Sequence, residues 1–244
     1  MGGYCMSDEK SLKYNEPWIL QRADPYVYRH TDGSYYFTAS VPAYDGIVLR
    51  RAGSLAELSG AEEVMIWKKH ESGPMSYHIW APEIHYLFGK WYIYFAGGEK
   101  EDIWKIRPYV LECSGDDPLT DEWVELGKMK RAAEDEFSFE AFSLDATVFE
   151  NKGEYYYVWA EKVGVGKMIS NLYIAKMESG NQLKTVQVLL TTPDYDWERK
   201  GFWVNEGPAV IHHDGKMFLT YSASETGVDY CVGMLSIDED ADIL

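Results

Sequence analysis

Residues 206–224, EGPAVIHHDGKMFLTYSAS, set a glutamate beside Gly-Pro, then an apolar run, an Asp-Gly turn and a second run rich in aromatics. Asp-Gly between two strand-like runs is the signature of a tight β-hairpin. The pattern recurs as DPYVYRHTDGSYYFTAS from Asp24, APEIHYLFGKWYIYFAGG from Ala81 and DATVFENKGEYYYVWAE from Asp145. The turn glycines Gly33, Gly89, Gly153 and Gly215 stand 56, 64 and 62 residues apart. A third strand-like run follows each hairpin: GIVLRRA from Gly46, PYVLECS from Pro108, NLYIAKM from Asn171 and YCVGMLS from Tyr230. After the first three comes a fourth, EEVMIWKK, EWVELGKM or KTVQVLL. Four antiparallel strands repeated at about 60 residues are the unit of a β-propeller blade, which buries its faces only against neighbouring blades. The expectation is an all-β chain, a single propeller domain over residues 1–244, with blades beginning near Asp24, Ala81, Asp145 and Glu206.

The fourth unit ends in YCVGMLSIDEDADIL, with no fourth strand. A five-bladed propeller lacking the end of blade four and all of blade five is the reading adopted. The competing one has NEPWILQR, residues 15–22, supply the missing strand and close a four-bladed ring.

Hydrophobic residues make up 46% of the chain and aromatics 15%, enough for a folded core rather than disorder. Forty acidic against 23 basic residues leave a net charge of -17, which disfavours nucleic acid and anionic membrane and suits a neutral ligand. Cys5, Cys113 and Cys231 suggest neither a disulfide framework nor a CxxC metal site. The opening MGGYCMSDEKSLKYNEPW has no signal-peptide core, so the chain as written reads as cytoplasmic, and as extracellular if a leader was removed.

Propeller strands run outward from the axis, so the opening of each blade's first strand faces the central channel. Asp24, Asp145 and Glu206 hold this place in repeats one, three and four. Repeat two has Ala81-Pro82 there, with Glu83 displaced toward the strand. Asp is depleted in strands and buried charge is costly, so three converging carboxylates call for a chemical reason. Glycosidic hydrolysis is the chemistry suited to them: one carboxylate as base, one protonated carboxylic acid as proton donor. Like charges in a partly desolvated site keep one of them protonated near neutral pH.

On RADPYVYR, HIWAPEIHY, FSLDATVF and NEGPAVI, in order and spacing across nearly the whole chain, the sequence resembles glycoside hydrolase family 43. The resemblance implies a five-bladed propeller and an inverting hydrolase of arabinan and xylan side chains. It makes Asp24 the general base, Glu206 the general acid and Asp145 the residue that tunes and orients the donor. The opening RADPYVYRHTDGSYYFTASVPAYDGIVLRRA is most similar to exo-acting α-L-arabinofuranosidases. A β-xylosidase, an endo-arabinanase and a non-catalytic carbohydrate-binding propeller fragment are the alternatives. The partner implied is an arabinose- or xylose-containing oligo- or polysaccharide. No cofactor is required for the chemistry, and a structural calcium or sodium ion near the axis is compatible with the resemblance.

Trp80 is placed to stack on a sugar ring, whose CH faces suit an aromatic platform, and Phe142 has the same character. His78 and Asn205 flank the strand openings and are candidates to hydrogen-bond sugar hydroxyls. His212 and His213, adjacent on a strand, point to opposite faces and read as surface residues rather than a metal pair. KVGVGKM, 162–168, lacks the strand-loop-helix context of a phosphate loop and reads as a loop.

Overall fold

The computed structural model describes residues 17–163 and 169–244. Its first sheet holds β1 (Ala23–Arg29), β2 (Tyr35–Ser40), β3 (Gly46–Ala52) and β4 (Val64–Lys68) in that order. The second holds β5 (Tyr77–Leu87), β6 (Lys90–Glu99), β7 (Asp102–Cys113) and β8 (Val124–Lys128). The third is built from β9 (Ser143–Asn151), β10 (Glu154–Val163) and β11 (Ile169–Ser179), with the short β12 (Gln182–Leu183) and β13 (Val188–Thr191) on the outer edge of β11. The fourth comprises β14 (Trp203–His213), β15 (Lys216–Ala223) and β16 (Cys231–Asp238). These are propeller blades, and all four turn glycines lie at positive φ as hairpin turns require. Three inner strands start two to four residues before the acid or alanine expected to open them, and β1 starts one before.

Two features depart from a simple ring of separate sheets. Blades three and four share a sheet, because Ile169 and Ser170 of β11 pair in parallel with Trp203 and Val204 of β14. Residues 17–22 form a turn rather than a strand, with Arg22 bonded to Glu63 of blade one, so no strand closes the ring from there among the described residues. Most of the KVGVGKM segment lies outside the described residues. Among the described residues no helix is long and apolar enough to cross a membrane.

Aromatic and branched residues on the blade faces bury one another. Tyr36, Ile47, Trp91, Ile93 and Leu111 fill the space between blades one and two. Tyr94, Val110, Tyr157, Trp159 and Tyr173 fill that between two and three. Stacking blade on blade in this way places the inner strands side by side: β5 packs against β1 and β2, β9 against β5, and β14 against β9.

Each inner strand carries a β-bulge at the same point. Pairing jumps from Ala23 to Tyr26, from Trp80 to Glu83, from Leu144 to Thr147 and from Glu206 to Ala209. The first bulged residue is left-handed in all four: Asp24 (φ 48°), Ala81 (44°), Asp145 (51°) and Gly207 (58°). Asp tolerates that region better than most residues, Gly adopts it freely, and bulges of this kind re-aim side chains beside active sites. This corrects the alignment expected from sequence. Asp24 and Asp145 are equivalent, but Glu206 stands one residue earlier, in the slot of Ala23, Trp80 and Leu144, and Gly207 takes the aspartate slot.

Candidate active site

Four bulges on four adjacent strands gather the acids at one end of the propeller axis. Asp24 is exposed, and its Oδ2 accepts a hydrogen bond from the Ser40 hydroxyl at 2.8 Å. The same hydroxyl accepts the Ala81 N–H of the next blade, also at 2.8 Å. Asp145 is held from the other side by the Gly207 N–H, which donates to its carboxylate. A Cβ on Gly207 would stand 4.0 Å from Asp145 Oδ2, so the last two bulges are in van der Waals range. Glu206 Oε1 accepts from the Tyr230 hydroxyl at 2.9 Å.

The charges of these groups act on one another. Burial pushes the Asp145 carboxyl well above the ordinary carboxylate range, and the charges of Glu206 and then Asp24 push it further. Glu206 is raised as well, first by burial and then by the charge of Asp24. The Tyr230 hydrogen bond and the Lys162 ammonium pull the other way. Asp145 and Glu206 therefore release their protons as a coupled pair, with one proton retained above the range in which a free carboxyl ionises. That arrangement supplies a proton donor beside an open carboxylate that a water can reach.

The aromatic candidates lie close by. Trp80 and Phe142 are half-buried and pack against an apolar cluster that includes Leu144, the neighbour of Asp145. Lys162 sits with its ammonium 4.0 Å above the Phe142 ring. The loop carrying Phe142 is pinned by buried Glu161, which accepts from the Phe139 N–H (2.9 Å), the Ala141 N–H (3.0 Å) and the Trp159 indole (2.8 Å). His78 stacks on Trp80 with ring centroids 4.2 Å apart, and its Nε2 is buried without a hydrogen-bond partner. Asn205 is a correction. Next to Glu206 on an extended strand it points away from the acids, fully buried, its amide donating to Glu198 (3.3 Å) and Thr191 (3.4 Å).

Sequence reasoning missed Ser40, Tyr230 and Lys162, which touch or bias the acids. His85 is buried, with Nε2 2.9 Å from Glu83 and Nδ1 3.4 Å from the Tyr26 hydroxyl, in a network below the acids whose Glu83 charge also raises Asp145. His212 and His213 are surface residues, each beside a different carboxylate, Glu239 and Asp214. Among the described residues no group of three or more His, Cys, Asp or Glu side chains is arranged to hold a metal ion.

Tyr230 offers a direct probe of Glu206. Its hydroxyl favours the ionised form of Glu206, so Tyr230→Phe raises the pKa of Glu206 further. The alkaline limb of the pH–rate profile is then expected to move upward, and an unchanged or lowered limb would mean that Glu206 does not set it.

The sequence profile described as Glycosyl hydrolases family 43 matches residues 14–243. A Streptomyces chartreusis protein named extracellular exo-alpha-(1->5)-L-arabinofuranosidase is 47% identical over 242 residues, 99% of this chain and 72% of its own length. A Streptomyces avermitilis protein of the same name is 48% identical over 234 residues, 96% of this chain, and this chain spans 47% of its length. Among solved structures, the α-L-arabinofuranosidase from Lactobacillus brevis is 52% identical and superposes with a TM-score of 0.84, covering 93% of this chain and 71% of that one.

Proposed function

This chain belongs to glycosyl hydrolases family 43, and from that premise we propose that it is an inverting, exo-acting α-L-arabinofuranosidase. It removes terminal α-L-arabinofuranosyl residues from arabinan or arabino-oligosaccharides. The observation that carries the mechanism is the coupled pair Asp145 and Glu206 beside the open carboxylate of Asp24. Asp24, oriented by Ser40, takes a proton from a water as that water attacks the anomeric carbon. Glu206 gives its proton to the leaving oxygen, and Asp145 holds the donor protonated until the bond breaks. Trp80 and Phe142 supply apolar surface for the sugar ring. The choice of arabinose over xylose rests on the names of the relatives at 47% and 52% identity. Both Streptomyces relatives are named extracellular, and we place this protein's work outside the cell on the same ground.

Direct assay separates the readings. Turnover of p-nitrophenyl α-L-arabinofuranoside well above that of the β-D-xyloside is expected, with arabinose and the oligosaccharide one residue shorter as the only early products from arabino-oligosaccharides. Proton NMR of the first turnovers should show the β-anomer before mutarotation. Preference for the xyloside, longer products from internal cleavage, or the α-anomer would each overturn a stated part of the proposal.

A further inference from the structure

An aromatic wall leads away from the acids along blade two, and its outermost member belongs to no site described so far. Trp104 lies near the start of β7, just beyond the β6–β7 connection, and is 61% exposed. That connection is at the acid end of the blade, since Tyr77 pairs with Gly98 and Trp80 with Ala96. The rings form a continuous run. Tyr44 meets Trp80 edge-on at 6.1 Å, Trp80 meets His78 at 4.2 Å, and His78 meets Trp104 at 5.3 Å with the planes 34° apart. The run begins beside the general base, because the Ala81 N–H that follows Trp80 donates to the Ser40 hydroxyl bonded to Asp24.

The backbone is irregular in a way that serves this wall. Of the four inner strands, only β5 has a second register shift, between Tyr77 and Trp80, and within it His78 is left-handed at φ 51°. An extra bulge re-aims side chains, and here it turns His78 against both tryptophans. Burial lowers the pKa of His78, so the ring stays neutral and the wall carries no charge. Trp104 adds little to the core, and no described residue accepts from its indole N–H, which leaves that donor for a hydroxyl. An uncharged aromatic surface with a free donor at its edge suits the CH faces and hydroxyls of neutral sugars.

We propose that Trp104, backed by His78 and Trp80, is an accessory subsite that binds the sugars of an oligosaccharide beyond the residue being cleaved. The inference rests on the reading of this chain as an exo-acting arabinofuranosidase, for which every further sugar belongs to the leaving chain. It makes Trp104 a determinant of preference for oligosaccharides over small glycosides.

Calorimetric titration of the Glu206→Gln protein with arabinose, α-1,5-arabinotriose and xylotriose tests it without relying on turnover. The quantity read is the gain in affinity from monosaccharide to trisaccharide. Adding Trp104→Ala is expected to cut the gain for arabinotriose roughly fivefold to tenfold, in line with the strength of aromatic stacking. Trp104→Phe should keep most of the gain. Trp104→Leu, which retains apolar bulk, should lose most of it while folding as the parent does. A gain that is absent in the parent, or undiminished in Trp104→Ala, overturns the subsite. A Trp104-dependent gain for xylotriose alone upholds the subsite and overturns the arabinose reading instead.

Discussion

Glu206→Ala is expected to lower hydrolysis of arabinobiose and arabinotriose by roughly 10²- to 10⁴-fold, the usual contribution of a positioned general acid. A sugar alkoxide is a poor leaving group and departs only as it gains a proton, so this reaction depends fully on the donor. p-Nitrophenolate leaves readily without one, and turnover of p-nitrophenyl α-L-arabinofuranoside should fall far less. The contrast between the two substrates identifies the role, because a misfolded site would lose both alike. The geometry favours Glu206 over Asp24 as donor on two counts. Glu206 is half-buried and raised by burial and by the charge of Asp24, whereas Asp24 is exposed and fixed by Ser40 where water can reach it. Equal losses on both substrates, or retained hydrolysis of arabinobiose, would remove Glu206 from the donor's role.

The four hairpins were legible because their signals are local. Gly33, Gly89, Gly153 and Gly215 occupy turns that need positive φ, and aromatic runs with a period of two must face neighbouring blades. Asp24 and Asp145 were equally legible, since both stand at the same step of the repeat. Glu206 was placed one step off because acid was aligned with acid. Aligning Pro25, Pro82 and Pro208 instead gives the observed register, for each proline follows the left-handed residue of its bulge and needs no ladder N–H. Asn205 shows the cost of that slip: an extended strand sends neighbours to opposite faces, so if Glu206 faces the acids Asn205 cannot. Tyr230 and Lys162 had no signal of this kind. Tyr230 ends the β15–β16 connection, Lys162 lies near the end of β10, and only the packing of blades brings either to Glu206. The parallel pairing of β11 with β14 is likewise a tertiary contact between segments far apart in sequence.

Asp145→Asn is expected to cost activity and to stabilise the fold, and the two effects have one cause. In the folded protein burial and the charges of Glu206 and Asp24 raise the Asp145 pKa well above its value in the unfolded chain. Below the unfolded value the residue is protonated in both states and carries no penalty. As pH rises past that value the unfolded chain ionises while the folded one still holds its proton, so folding loses ground until the folded pKa is reached. Asparagine copies the neutral carboxyl and never ionises. At neutral pH the variant should therefore melt several degrees higher, at about 2–4 °C per kcal/mol for a chain of this size. The difference should vanish in acid, and a variant that melts lower at neutral pH, or by the same margin at every pH, contradicts the account. Turnover should fall by roughly 100-fold or more, because the amide cannot share the proton that the pair retains.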